Sequence, residues 1–131
     1  MQLTRRSAII AAATATPVAA IPAVTPTTEA TTMFGLIGRM KSAPGQRDAL
    51  ISILLEGLSG MPGCLSYVVA KDFLDPDSIW ITEAWESQGK HKASLLLPSV
   101  KSAIAMARPI IAGFGERIET QPVGGHGLVA T

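Results

Sequence analysis

One cysteine and two histidines in 131 residues are few, and that scarcity excludes several chemistries at once. A single thiol, Cys64, cannot form an internal disulfide, and His91 and His126 lie too far apart in sequence to suggest a structural zinc site with it. Charge is thin as well, with Asp, Glu, Lys and Arg together at 16% of the chain. From Met33 onward nine basic residues meet nine acidic ones. No basic stripe is left to neutralise phosphates, so no nucleic-acid partner is expected. The fragments around Gly35 and Gly124 do not open a helix with phosphate-loop spacing. No Gly-x-Ser-x-Gly surrounds Ser66, Ser94 or Ser99, which leaves serine hydrolysis without support. What the chain has in quantity is apolar residues, at 47%. That share marks a globular chain, and the length suits one domain.

Part of the apolar excess reads as an address. Arg5 and Arg6 stand directly before an apolar run from Ala8 to Ala23, the pattern of a secretory signal. With Thr4 before the pair and Ile9-Ile10 after it, the start resembles a bacterial twin-arginine leader. Thr14, Thr16 and Pro17 interrupt the run, which falls short of the roughly 20 apolar residues that span a bilayer, so no stable membrane anchor is expected. Cleavage after Ala20 and cleavage after Ala30 both fit. Residues 1–32 are thus expected to be signal peptide and disordered spacer, and the protein to be exported, periplasmic or extracellular. The tail from Pro122 to Thr131 reads as loose or as an exchange arm.

Between leader and tail, residues 33–121 read as one α+β domain. Met33–Met40 is an apolar run of strand length. Pro44 suits the first turn of a helix, and Leu50, Ile51, Leu54, Leu55 and Leu58 then mark one helical face of about four turns, with Ile53 at its margin. Gly60 and Pro62 end it. Cys64–Asp72 is rich in β-formers, Asp75-Pro76-Asp77-Ser78 is a turn by residue chemistry, and Ile79–Glu86 is the third strand. Alternation puts Ile79, Ile81, Glu83 and Trp85 on one face of it, and Trp80, Thr82, Ala84 and Glu86 on the other. Ser87 can cap a following helix, which Pro98 divides into a piece ending near Leu97 and another over Ser99–Arg108. Phe114–Thr120 closes the domain as a strand. The order βαββαβ predicts a ferredoxin-like antiparallel sheet with helices on one face. Apolar residues on both faces of the third strand predict a homodimer, two sheets closing face to face.

The ordered series Pro44-Gly45, Gly63-Cys64, Tyr67, Asp72, Asp75-Pro76, Glu83-x-Trp85-x-Ser87 and Pro98 resembles the antibiotic biosynthesis monooxygenase family over roughly Met33 to Glu119. The resemblance implies a dimeric α+β barrel. It also implies oxidation of quinols or other electron-rich aromatics by dioxygen, with no cofactor and no metal. Haem-degrading relatives carry an asparagine, a tryptophan and a histidine where this chain has Gly38, Ser94 and Ile104, which disfavours haem degradation. Quinol-oxidising relatives often carry histidines at the places of Ser94 and Ser99.

Cofactor-free oxygenation needs a base to ionise the substrate. His91 is one candidate by type, against a solvated histidine between Lys90 and Lys92. Glu83 is the other, a general base if its face is interior and a structural carboxylate otherwise. Trp85 could stack on a planar ring or fill the core. Tyr67 could donate a hydrogen bond to bound oxygen or rest at a rim. Cys64, behind Gly63, reads as a small buried hydrophobe. The sequence therefore supports an exported monooxygenase taking a small quinol-like or polyphenolic aromatic and dioxygen. Its rival is a non-catalytic barrel that binds a small apolar ligand.

Overall fold

The computed structural model describes residues 32–128; the leader and both candidate cleavage points lie outside them. Four strands and three helices follow in the order β1 (Phe34–Ser42), α1 (Arg47–Gly57), β2 (Cys64–Lys71), β3 (Ser78–Trp85), α2 (Gln88–Ser94), α3 (Pro98–Ala107) and β4 (Ile111–Thr120). A 3-10 turn, Arg108–Ile110, joins α3 to β4. The sheet runs β2-β3-β1-β4 with every neighbour antiparallel, so the expected ferredoxin-like α+β arrangement is what the chain adopts. Among the described residues no helix is long and apolar enough to cross a membrane.

Several boundaries differ from the sequence reading, each for a local reason. Pro44 lies in the turn before α1, not in its first turn, and the helix begins three residues later at Arg47. The helix is therefore 11 residues long, about three turns, shorter than expected. Its buried residues are Leu50 and Leu54, while Leu55 is exposed, because Leu55 lies about 140° round the helix from Leu50. Gly57, only about 20° from Leu50, faces α3, where an added Cβ would come within 2.5 Å of Ala103 Cβ. That close approach requires glycine. Pro98 opens α3 as its first residue, and α2 stops at Ser94. β4 begins at Ile111, three residues earlier than expected, and a register irregularity between its pairings with Gly38 and Met40 absorbs an extra residue.

The hairpin between β2 and β3 is closed by a chain of aspartates. Asp72 Oδ1 accepts from the backbone N–H of Leu74 and of Asp75, each at 2.8 Å. Asp75 accepts from the backbone of Asp77 at 3.0 Å and from the Ser78 hydroxyl at 2.8 Å. Arg47, at the start of α1, donates to the carbonyls of Asp72, Asp75 and Ser78 and so ties the turn to the helix layer.

Two apolar clusters lie between sheet and helices. One joins Phe34, Leu36, Met61, Trp85 and Val100; the other joins Leu50, Leu54, Ile79, Ile81 and Ala107. Tyr67 and Leu58 touch both clusters. On β3 the break between them falls at Glu83, with Ile81 on one side and Trp85 on the other. Among the described residues the opposite sheet face carries no helix. There Trp80 Nε1 donates to Asp72 at 2.7 Å, and the Arg39 guanidinium lies 5.9 Å from the Trp80 ring centre. Val68 and Ile118 remain exposed on that side.

Candidate functional site

Strand pairing brings the site together. Glu83 stands opposite Leu36 on β1 and opposite Tyr67 on β2, so the three share the helix-side face in one row. Alternation along β3 then puts Ile81 and Trp85 beside Glu83, as the sequence requires. A cavity of about 420 Å³ opens along this face, lined by Leu36, Gly38, Met40, Ile81, Glu83 and Phe114 together with the Arg39, Glu116 and Arg117 region of the β1–β4 edge. Its volume falls within the usual range for small-molecule sites, and its lining is mainly apolar. Gly38 contributes to the room: a Cβ there would meet only the Glu116 carbonyl, at 3.7 Å.

The Glu83 side chain is 16% exposed. Trp85 Nε1 donates to Glu83 Oε1 at 2.8 Å, and His91 Nε2 lies 4.0 Å from the same oxygen. Among the described residues nothing bonds the other oxygen, Oε2. One half of the carboxylate is thus fixed by an indole N–H, and the other half is left for a ligand or solvent.

Trp85 itself is 1% exposed and packed among Phe34, Met61 and Val100, so it takes the core role of the two weighed for it. His91 is not the solvated residue its lysine neighbours suggest. Its side chain is 13% exposed, with ring centres of Phe34 and Trp85 each 5.4 Å away. Ser94, three residues on and on the same helical face, is buried and donates to the His91 carbonyl at 2.6 Å. His91 does not line the cavity; it reaches the site only through Glu83. Ser99 is exposed at the start of α3.

Tyr67, expected to bind substrate, does not line the Glu83 cavity: it is largely covered and borders a separate hollow beside Leu58, Met61 and Cys64. Its hydroxyl has no hydrogen-bond partner among the described residues. Burial, reinforced by the Glu83 charge, pushes its pKa well above the ordinary phenol value, so it stays a neutral donor. Cys64 is half-buried, and burial likewise raises its thiol pKa, which keeps it protonated and a weak nucleophile.

Phe34 as a wall against His91, and the β4 edge as a side of the cavity, were missed by sequence reasoning. Phe34 was findable, since it is the in-register partner of Trp85 once β1 and β3 pair. The β4 edge was not, because its irregular register has no sequence signature.

A four-stranded antiparallel sheet under helices places the protein in the ferredoxin-like α+β class. The model of the family described as "Antibiotic biosynthesis monooxygenase" matches residues 33–106, more than half of the chain. The chain belongs to that family. It is similar to a solved protein from Chloroflexus aurantiacus titled "putative Antibiotic biosynthesis monooxygenase", at 66% identity over 75% of this chain and 100% of that one, with a TM-score of 0.73. A Caulobacter crescentus structure with a similar title shares the fold at 20% identity and a TM-score of 0.65, covering 72% of this chain and 92% of its own. A third, from Bacteroides thetaiotaomicron, does so at 16% identity and a TM-score of 0.63, covering 72% and 93%. No curated protein matches the chain.

Proposed function

We propose that the chain is a cofactor-independent monooxygenase that oxidises a small quinol-like or polyphenolic aromatic with dioxygen. The observation that carries this reading is the half-free carboxylate: Glu83 lines an apolar cavity with Oε1 held by Trp85 and Oε2 unbonded. In the proposed reaction Glu83 takes a proton from a ring hydroxyl. The resulting phenolate gives one electron to dioxygen, and the two radicals join as a ring peroxide, which takes the proton back from Glu83 to become the hydroperoxide. Loss of water then leaves one oxygen atom in the product as a carbonyl and the other in the water. All four electrons that reduce dioxygen come from the substrate, which leaves with two hydrogens fewer and one oxygen more, so no outside reductant is consumed. His91, packed behind Glu83, positions it.

The test is oxygen uptake by metal-free protein with a hydroquinone panel, for the wild type and Glu83→Gln. Uptake by the wild type and a loss of about a hundredfold or more in the variant are expected, in line with removal of a general base. No uptake on any substrate removes the enzyme reading.

A second reading, a barrel that only binds an apolar ligand, is favoured by Ser94 and Ser99, which offer no proton carrier where quinol-oxidising relatives often have histidine. Saturable binding without uptake selects it.

We further propose a homodimer closing over the bare sheet face, where Val68, Trp80 and Ile118 lie. Light scattering should give twice the chain mass, and Val68→Asp should halve it. A monomeric wild type contradicts the dimer. Export through the Arg5-Arg6 leader to a periplasmic or extracellular location completes the proposal, and mass spectrometry of exported protein would read the cleavage point.

A further inference from the structure

A second cavity, of about 440 Å³, adjoins the first. It is lined by Met40, Leu54, Leu58, Ala103, Ile104, Ala107, Arg108, Ile111 and Phe114; Met40 and Phe114 belong to both cavities. The two are neighbours along β1 and the edge of β4, divided by Met40 and by Phe114, which is 75% exposed, and Arg39, Glu116 and Arg117 rim the first of them; read as one trough, they have an apolar floor. The polar groups at its two ends differ in sign. At one end stands Glu83. At the other stands the exposed Arg108, the only charged residue among the described ones that line the second cavity.

The arginines differ in whether the chain already satisfies them. Arg39 is paired with Glu116 at 2.9 Å, and Arg117 with Glu119 at 3.1 Å. The Arg108 guanidinium has no ion pair or hydrogen bond among the described residues. An unpaired cation beside an apolar trough is complementary to a ligand with an apolar body and an anionic end. From Leu36, the cross-strand partner of Glu83, to Met40 is four residues, roughly 13 Å of strand. The ligand must therefore be longer than a single ring.

We infer that the trough takes an elongated amphipathic aromatic, its oxidisable ring at Glu83 and a carboxylate at Arg108, which acts as a specificity residue. This rests on reading the Glu83 cavity as the substrate site. A cation at the C-terminal end of α3 also suits the helix dipole, so stability has to be followed beside binding.

The experiment compares an alkyl hydroquinone ending in a carboxylate with the same molecule ending in a primary amide, titrated without dioxygen. The acid should bind wild type about two- to fivefold more tightly, the scale of one exposed charge pair, and the preference should fall with salt. Arg108→Gln should erase the preference while leaving amide affinity and melting temperature unchanged, and Arg108→Lys should keep part of it. Equal binding of acid and amide to wild type overturns the inference. So does an Arg108→Gln variant that weakens both alike, which would mark a structural arginine. Acid preference without oxygen uptake when air is admitted supports this inference and overturns oxygenation. Binding of neither molecule overturns both.

Discussion

Tyr67, Glu83 and Leu36 stand in one row across three strands, and each meets a different physical demand there. Leu36 is core. Glu83 can sit beneath the helices because the Trp85 N–H satisfies one oxygen and the cavity gives access to the other. Tyr67 is partly covered and its hydroxyl bonds no other described residue, so that hydroxyl adds no hydrogen bond within the described fold. Tyr67→Phe is therefore expected to leave unfolding stability within about 1 kcal/mol of wild type, read by urea denaturation. A clear loss of stability would reveal a partner for that hydroxyl and contradict the account. At this scale the sequence was partly legible. Period-two alternation put Glu83 and Trp85 on one face, but nothing in it says that the indole would hold the carboxylate. His91 was misread for the opposite reason: its lysine neighbours point to solvent, whereas a helix as short as α2 turns His91 and Ser94 inward together.

Among the elements, the β2–β3 hairpin depends on ionised aspartates. The backbone N–H of Asp77, then the Ser78 hydroxyl and the Lys41 ammonium, hold the Asp75 carboxyl down to about 2, below its ordinary 3.8. A group whose pKa is lower in the folded state contributes stability above its unfolded value, and that contribution is lost as pH falls through the folded one. Asp75→Asn should therefore melt below wild type at neutral pH, with the gap narrowing between about pH 4 and pH 2. A gap of the same size at pH 7 and pH 2 would contradict that role. The residue types Asp75-Pro76-Asp77-Ser78 made this turn legible. The cross-brace from Arg47 was not legible, since it needs α1 and the hairpin to be neighbours in space. Pro44 misled for a related reason: its fixed φ suits a turn as well as a helix start, and the choice is made by contacts far along the chain.

For the molecule as a whole, the order of breakers, β-formers and one amphipathic helix was enough to identify βαββαβ, because each element's pattern is local. The cavity was not readable, since an empty volume is set by what three separate strands and two helices fail to fill. It lies where the two apolar clusters part around Glu83, open along the β4 edge. That this space is a ligand site, and not a packing gap, is the central claim. Gly38 lines it on a strand, with no positive φ to prevent substitution and no atom nearer than 3.7 Å to an added Cβ. A large β-former there should stabilise the strand by up to about 1 kcal/mol while filling the cavity. The decisive measurement is the titration of a hydroquinone into wild type and Gly38→Phe without dioxygen, with both melting temperatures recorded. The account predicts saturable binding to wild type and at least a tenfold loss in a variant that melts no lower; undiminished binding by folded Gly38→Phe would contradict it.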